Sequence, residues 1–263
     1  MASIASSTAL PRITEKHMKE LVEKNYVIIP DFLPEDLQEA LRSDVSNLRN
    51  MEAFKVAKIG QDATNTLNRQ IREAQTCFIG GKRDIPDSEA RSKLISVLEQ
   101  TGQDLSENPI LKSPKLDDNL SELLYAYYPQ GGFYRRHRDA IPGSASVLRT
   151  YSLLLYLNKD WEEKDAGYLR MHMDSGGDEL PDGEEPDYLD VPPKGGTLVL
   201  FSSDKVPHEV LDTNSERLAI VGWYNKELTT SDLSELGVNP MRLGMLAVAA
   251  GLVTFGVVSL LAS

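Results

Sequence analysis

The chain has 263 residues, 26% of them charged and 41% hydrophobic, an ordinary globular composition with ample length to bury a core. Its formal net charge of −12, from 40 acids against 28 bases, carries no basic footprint and excludes a non-specific nucleic-acid binder. The single cysteine, Cys77, excludes an internal disulfide and fits a reducing compartment rather than a secreted one.

Residues 1–11 are small, Ser-rich and free of acids, and read as a disordered, frayed tail rather than a transit peptide. Arg12 to Asn25 spaces Ile13, Met18, Leu21 and Val22 as one face of a helix, and Tyr26 to Pro30 is a short apolar strand. Pro34 opens a second helix, with Glu35 and Asp36 in the first turn where the helix dipole favours acids. Phe54 to Thr66 has a weak pattern and is predicted to be a mobile polar loop. Gln75 to Ile79 is a strand, Asp84 to Pro86 a turn, and Ser88 to Gln100 a third helix. From Leu120 the texture changes. Leu123–Tyr128, Tyr151–Leu157, Gly167–His172, Gly196–Phe201 and Arg217–Tyr224 are apolar, β-branched or aromatic runs between turn residues, the pattern of a β-sandwich or barrel. Helices that precede such strands are expected to pack on one face of the β unit. Residues 173–193 interrupt the rhythm with eight acids and are predicted to be a solvated insertion, with a clamp for a basic substrate as the sharper alternative. Residues 227–242 read as a linker.

Residues 243–262 form an uncharged run of twenty, LGMLAVAAGLVTFGVVSLLA, preceded by Arg242. That length crosses a bilayer core as a helix. The expectation is a C-terminal transmembrane tail anchor that leaves residues 12–226 facing the cytosol, with the endoplasmic reticulum as the expected membrane and a soluble cytoplasmic protein as the alternative.

The chemistry concentrates in Tyr134-Arg135-Arg136-His137-Arg138-Asp139 and in His208. In an extended strand, side chains at i and i+2 share a face, so His137 and Asp139 converge while Arg138 turns away. A second histidine from another strand completes a 2-His-1-carboxylate face, which leaves iron positions open for substrate and O2. His208, after Lys205-Val206-Pro207, is the candidate, and His172 is its rival. Arg217 opens the strand Leu218 to Tyr224 and either caps the sheet or binds a carboxylate with its two-pronged guanidinium. Tyr128 and Tyr156 are core aromatics or hydroxyl donors to the same ligand.

These residues resemble the prolyl 4-hydroxylase superfamily of Fe(II)- and 2-oxoglutarate-dependent dioxygenases, and most of all its hypoxia-sensing branch. The matches are Tyr128-Pro129, Tyr134-x-Arg136-His137-x-Asp139, the run YLNKDW at Tyr156–Trp161, Gly167-x-Leu169-Arg170, Pro207-His208-Glu209-Val210, and Arg217 with Trp223. The resemblance implies a double-stranded β-helix (jelly-roll) core over about residues 120–226. It implies Fe(II) on His137, Asp139 and His208, and the distal carboxylate of 2-oxoglutarate on Arg217 and Tyr156. Tyr128 is implied near the metal-bound end of the cosubstrate, Leu169, Val210 and Trp223 along its pocket, and Tyr134 and Arg136 at the substrate mouth. The implied activity is hydroxylation of prolyl residues of a protein or peptide at the 4-position, using O2 and releasing succinate and CO2, with ascorbate as reductant. Another protein side chain, a small molecule, or turnover-free binding at a membrane are the alternatives. The chain departs from the branch at Glu73-Ala74, where the sensors have Gly-Asp. Arg149, the residue that Asp would pair with, is therefore expected to use Glu73 or nothing.

Overall fold

Strand alternation sorts this chain into two antiparallel sheets. The computed structural model describes residues 10–60, 66–81, 83–117, 120–173, 187–229 and 232. In chain order the elements are α1 (Glu15–Lys24), β1 (Tyr26–Ile29), α2 (Glu35–Asn50), β2 (Lys55–Val56), β3 (Arg72–Glu73), β4 (Gln75–Phe78) and α3 (Glu89–Glu107). They continue with β5 (Leu123–Tyr128), β6 (Phe133–His137), β7 (Arg149–Tyr156), β8 (Leu169–His172), β9 (Tyr188–Val191), β10 (Leu198–Ser202), β11 (His208–Val210) and β12 (Arg217–Asn225). The larger sheet runs β1-β10-β7-β12-β5-β4-β2 and the smaller β3-β6-β11-β8-β9, the two-sheet arrangement of a jelly roll.

The centre of the larger sheet is buried on both faces, which is why Ser152 to Tyr156 reads as an apolar run without alternation. One face, through Leu153, Leu155, Ile220 and Tyr224, packs on Leu41, Val45 and Leu48 of α2 and on Leu94, Leu98 and Leu105 of α3. The other face, through Leu154, Tyr156 and Ala219, meets Leu169 and Met171 of the smaller sheet. The expected β-helix core with helices on one face is what forms.

Several boundaries differ from the sequence expectation. The third helix runs past Gly102 to Glu107; Tyr224 packs at Gly102, where a Cβ would lie 2.9 Å from the ring. That glycine serves a close approach. The stretch from Phe54 to Thr66 is not simply a polar loop: Lys55–Val56 pairs with β4, and Ile59 bridges Thr66. The acidic insertion is shorter than expected at its far end. Tyr188 to Val191 forms β9, paired in register with β8 and tied to it by Arg170 and Asp190 at 2.7 Å. Acidity masked its strand propensity. The start of the expected linker is held to the domain, since Glu227 N–H donates to the Lys115 carbonyl (2.9 Å) and the buried Asp232 pairs with Lys226 at 2.5 Å. The expected frayed tail up to residue 9, the core of the insertion at 174–186 and the expected anchor at 243–262 lie outside the described residues. Among the described residues no helix is long and apolar enough to cross a membrane.

A polar group is locked between helices and sheet. Asp44 of α2 accepts from the Tyr125 hydroxyl at 3.0 Å and sits 3.0 Å from the Arg91 guanidinium of α3, all three buried. Removing one partner of a buried pair leaves the other charge desolvated, at a cost of about 3–5 kcal/mol. Asp44→Ala is expected to lose that much stability in urea unfolding, whereas Tyr125→Phe loses about 1 kcal/mol. Equal, small losses in both would mean that the pair does not organise the helix–sheet contact.

Candidate active site

The site is built where β6 pairs with β11. His137 and His208 are direct cross-strand partners, and their rings lie 4.3 Å apart between centroids. Each ring turns its Nδ1–H to a nearby carbonyl, His137 to Arg135 O at 2.8 Å and His208 to Val206 O at 3.1 Å. A carbonyl can only accept, so both Nδ1 atoms carry the proton and both Nε2 lone pairs are left bare. These face Asp139, with His137 Nε2 3.6 Å from one carboxylate oxygen and His208 Nε2 3.6 Å from the other. The ligand atoms of the three residues lie within 4.8 Å of one another. Two bare imidazole nitrogens and a carboxylate at this spacing fit a divalent ion of the iron class.

The route to this convergence differs from the strand argument. Asp139 is not in the strand with His137 but in the bend that follows β6. Three contacts hold that bend: Ala140 N–H donates to Ser203 O (3.0 Å), Arg149 Nη1 to Asp139 O (3.2 Å), and Ser152 Oγ to Asp139 Oδ2 (2.7 Å). Ser152 also lies 2.9 Å from the Ser203 hydroxyl. Within β6 a bulge sets Tyr134 to His137 against Val210 to His208, three steps against two. The slip reverses the alternation, so Tyr134 stacks on His137 with ring centroids 3.7 Å apart, and Arg72 lies over the Tyr134 ring at 4.5 Å. Tyr134 thus sits beside the metal set, and burial pushes its hydroxyl up to about 12.

Electrostatics suit a ligand set. Burial, reinforced by His137 and opposed by Asp139, pushes the His208 imidazole down to about 4, so it stays neutral, the form that binds metal. For Asp139 burial works against the charge, but His208, His137 and Arg149 together outweigh it and hold the carboxyl well below the usual range. His172 is not part of the set; it pairs with Glu209 at 3.2 Å. Arg149 has neither Glu73 nor an empty fork. Glu73 pairs with Arg69 at 3.1 Å, and Arg149 grips Glu122 with Nε at 3.1 Å and Nη2 at 2.7 Å. Glu122 was invisible to motif reading because its role depends on strand neighbours, whereas Ser152 was findable as the only polar residue in a run that is otherwise apolar.

A second group of donors lines the same interior. Arg217, 1% exposed, donates from Nε to Gly167 O at 2.9 Å, while its Nη1 and Nη2 are buried without a protein partner. The Tyr156 hydroxyl is likewise buried and unpartnered. The Arg217 guanidinium carbon is 5.0 Å from the Tyr128 ring centre and 5.1 Å from that of Tyr156. Buried donors without acceptors are costly, and a carboxylate satisfies all three at once. Gly167 is required here: its φ is +71°, and a Cβ would press on Thr213 at 3.0 Å and on Arg217 Cδ at 3.2 Å. Leu169 and Val210 are buried cross-strand partners between Arg217's support and the histidines. Trp223 lies nearer the metal side, in the cluster with Tyr128, Val210 and Tyr134, its face under Arg149 at 3.7 Å and its indole N–H buried without a partner. Arg136 is half-buried at the end of β6 beside His137.

Comparison with known proteins agrees with this geometry. Residues 123–225 match the family model of the 2OG-Fe(II) oxygenase superfamily. Human Egl nine homolog 1 is 28% identical over 199 residues, covering 75% of this chain and 43% of that protein. The chain thus spans about half the length of the Egl nine homolog 1 relatives it matches, 43% to 54%. A prolyl-4-hydroxylase of Pseudomonas putida is 30% identical, with a TM-score of 0.62 over 81% of this chain and 98% of that one. A prolyl hydroxylase of Trichoplax adhaerens, solved in complex with a hypoxia inducible factor oxygen degradation domain peptide fragment, is 26% identical, with a TM-score of 0.65 over 84% and 90%.

Replacing Arg217 by Lys keeps the charge but not the two-pronged fork. With Mn(II) present, calorimetric titration is expected to show 2-oxoglutarate binding roughly 10- to 100-fold more weakly to Arg217→Lys, the loss of one or two charge-assisted hydrogen bonds. Unchanged affinity would mean that the carboxylate lands elsewhere.

Proposed function

Because the chain belongs to the 2OG-Fe(II) oxygenase superfamily, on the prolyl-hydroxylase side of it, we propose that it hydroxylates prolyl residues of a protein or peptide at the 4-position. The family uses Fe(II), 2-oxoglutarate and O2, and these supply an oxidative decarboxylation to succinate and CO2 coupled to hydroxylation of a C–H bond. The observation that carries the reading is the pairing of two sets: three residues whose ligand atoms converge within 4.8 Å, and three buried donors with no protein acceptor. β8 links them, with Gly167 just before its start holding Arg217 and Met171 near its end paired with His208.

In this reading His137 and His208 present Nε2 to the metal and Asp139 completes the face. Arg217 and Tyr156 orient the distal carboxylate of the cosubstrate, and Tyr128 with Leu169, Val210 and Trp223 excludes water from its length. Tyr134 and Arg136 face the substrate side. Support for a peptidyl substrate comes from the prolyl hydroxylases of Pseudomonas and Trichoplax, the second of them solved with a peptide. Ascorbate is proposed as the accompanying reductant.

We further propose that residues 243–262 attach the enzyme to a membrane, with the catalytic domain on the cytosolic face and the endoplasmic reticulum as the first membrane to examine. Twenty uncharged residues suffice to cross the hydrocarbon core.

Succinate release is expected from the wild-type chain with Fe(II), 2-oxoglutarate and O2, stimulated by proline-containing peptides and absent in Asp139→Ala. Mass spectrometry should place +16 Da on a proline, from the one oxygen atom that hydroxylation adds. Stimulation by no peptide, or oxygen on another residue, would remove the prolyl assignment. Deletion of residues 243–263 is expected to move the protein from the membrane pellet to the supernatant; persistence in the pellet after a carbonate wash would refute attachment through this segment.

A further inference from the structure

We propose that Glu122 is a positioning residue for the metal carboxylate Asp139, acting through Arg149. The inference rests on reading His137, Asp139 and His208 as the iron site. Both histidines sit in paired strands, where ladder hydrogen bonds fix their backbone. Asp139 does not, and a ligand carried on a bend is only as well placed as the contacts that hold the bend.

One of those contacts is the 3.2 Å hydrogen bond from Arg149 Nη1 to the Asp139 carbonyl. An arginine alone has many rotamers, so its Nη1 reaches one point reliably only when the guanidinium plane is fixed. Here that plane is fixed twice. The Glu122 carboxylate accepts from both Nε and Nη2, at 3.1 and 2.7 Å, and the flat face rests on Trp223 at 3.7 Å. All three nitrogens are engaged, two on Glu122 and one on the ligand's own backbone. The groups come from three adjacent strands of the larger sheet: Glu122 directly precedes β5, Trp223 lies on β12, and Arg149 begins β7. Leu123 and Gly222 are cross-strand partners, as are Asn225 and Arg149, so the sheet register itself brings the three together.

The plainer reading is a half-exposed salt bridge with little effect on anything. The Glu122 side chain is 32% exposed and touches none of the ligands. Arg149, however, is only 11% exposed, and its third nitrogen ends on the bend. A salt bridge that merely stabilises would shift the unfolding midpoint and leave metal affinity alone. A positioning contact also lowers the metal affinity of the folded protein, because partners behind metal ligands are worth about 10- to 100-fold in affinity.

The test is Mn(II) binding to the full chain, followed by electron paramagnetic resonance, with thermal unfolding of each metal-free variant in parallel. Glu122→Ala is expected to bind Mn(II) about tenfold more weakly at a temperature well below its unfolding midpoint, where the variant is folded. Glu122→Gln, which keeps one accepting oxygen, should fall between. In an Arg149→Leu background the Glu122→Ala change should cost no further affinity, since the route is already cut. Wild-type affinity in Glu122→Ala, or a full additional loss in the Arg149→Leu background, would overturn the proposal. If Asp139→Asn bound Mn(II) as tightly as the wild type, the metal-site reading would fail first and independently.

Discussion

The pairing of His137 with His208 across two short strands is the constraint on which the rest depends. Their side chains leave the same face of the smaller sheet from directly opposed positions, and the larger sheet closes over them. Phe201 of β10 meets the edge of the His208 ring at 4.6 Å, and Ser152 of β7 reaches the Asp139 carboxylate. The acid therefore bridges the sandwich. A one-residue slip between β6 and β11 would send one imidazole to the outer face and empty the site, and the flanking β8 pairing guards against it.

The bulge in β6 deserves its cost because it allows one strand to serve two ends. Without it Tyr134 and His137 would point to opposite faces; with it they stack, and the Arg72–Tyr134–His137 column forms one wall. Arg135, released to the outer surface, pairs with Asp212 at 2.8 Å. The same four residues thus furnish a metal ligand, a wall and a surface ion pair.

Much of this was legible beforehand, and for physical reasons. Strands buried on both faces give unbroken apolar runs, so β5, β7, β10 and β12 could be read directly, and chemically obligatory types such as His137, Asp139, His208 and Arg217 stand out by spacing. Residues whose meaning is relational were not. Ser152 matters because a bend from the other sheet lands on it, and Glu122 because sheet register brings Arg149 beside it. Likewise β9 hid behind the acids around it, and Gly102 inside α3 has its reason in Tyr224, which needs the space. The expected partner of Arg149 failed for the same reason, since Glu73 was inferred from the family's pattern whereas sheet register supplies Glu122.

The two unpartnered Nη atoms of Arg217 bear on how long the protein lasts as well as on what it binds. They and the Tyr156 hydroxyl are buried away from water without a protein acceptor, a penalty that unfolding relieves and a bound carboxylate also relieves. Any ligand that fills this cradle only in the native state raises resistance to unfolding by RT ln(1 + [L]/Kd), about 2.7 kcal/mol at a hundredfold excess over Kd. Cellular proteases act on the opened chain, so its steady-state abundance follows such differences severalfold. The level of a small dicarboxylate would then set not only how fast this protein works but how much of it survives.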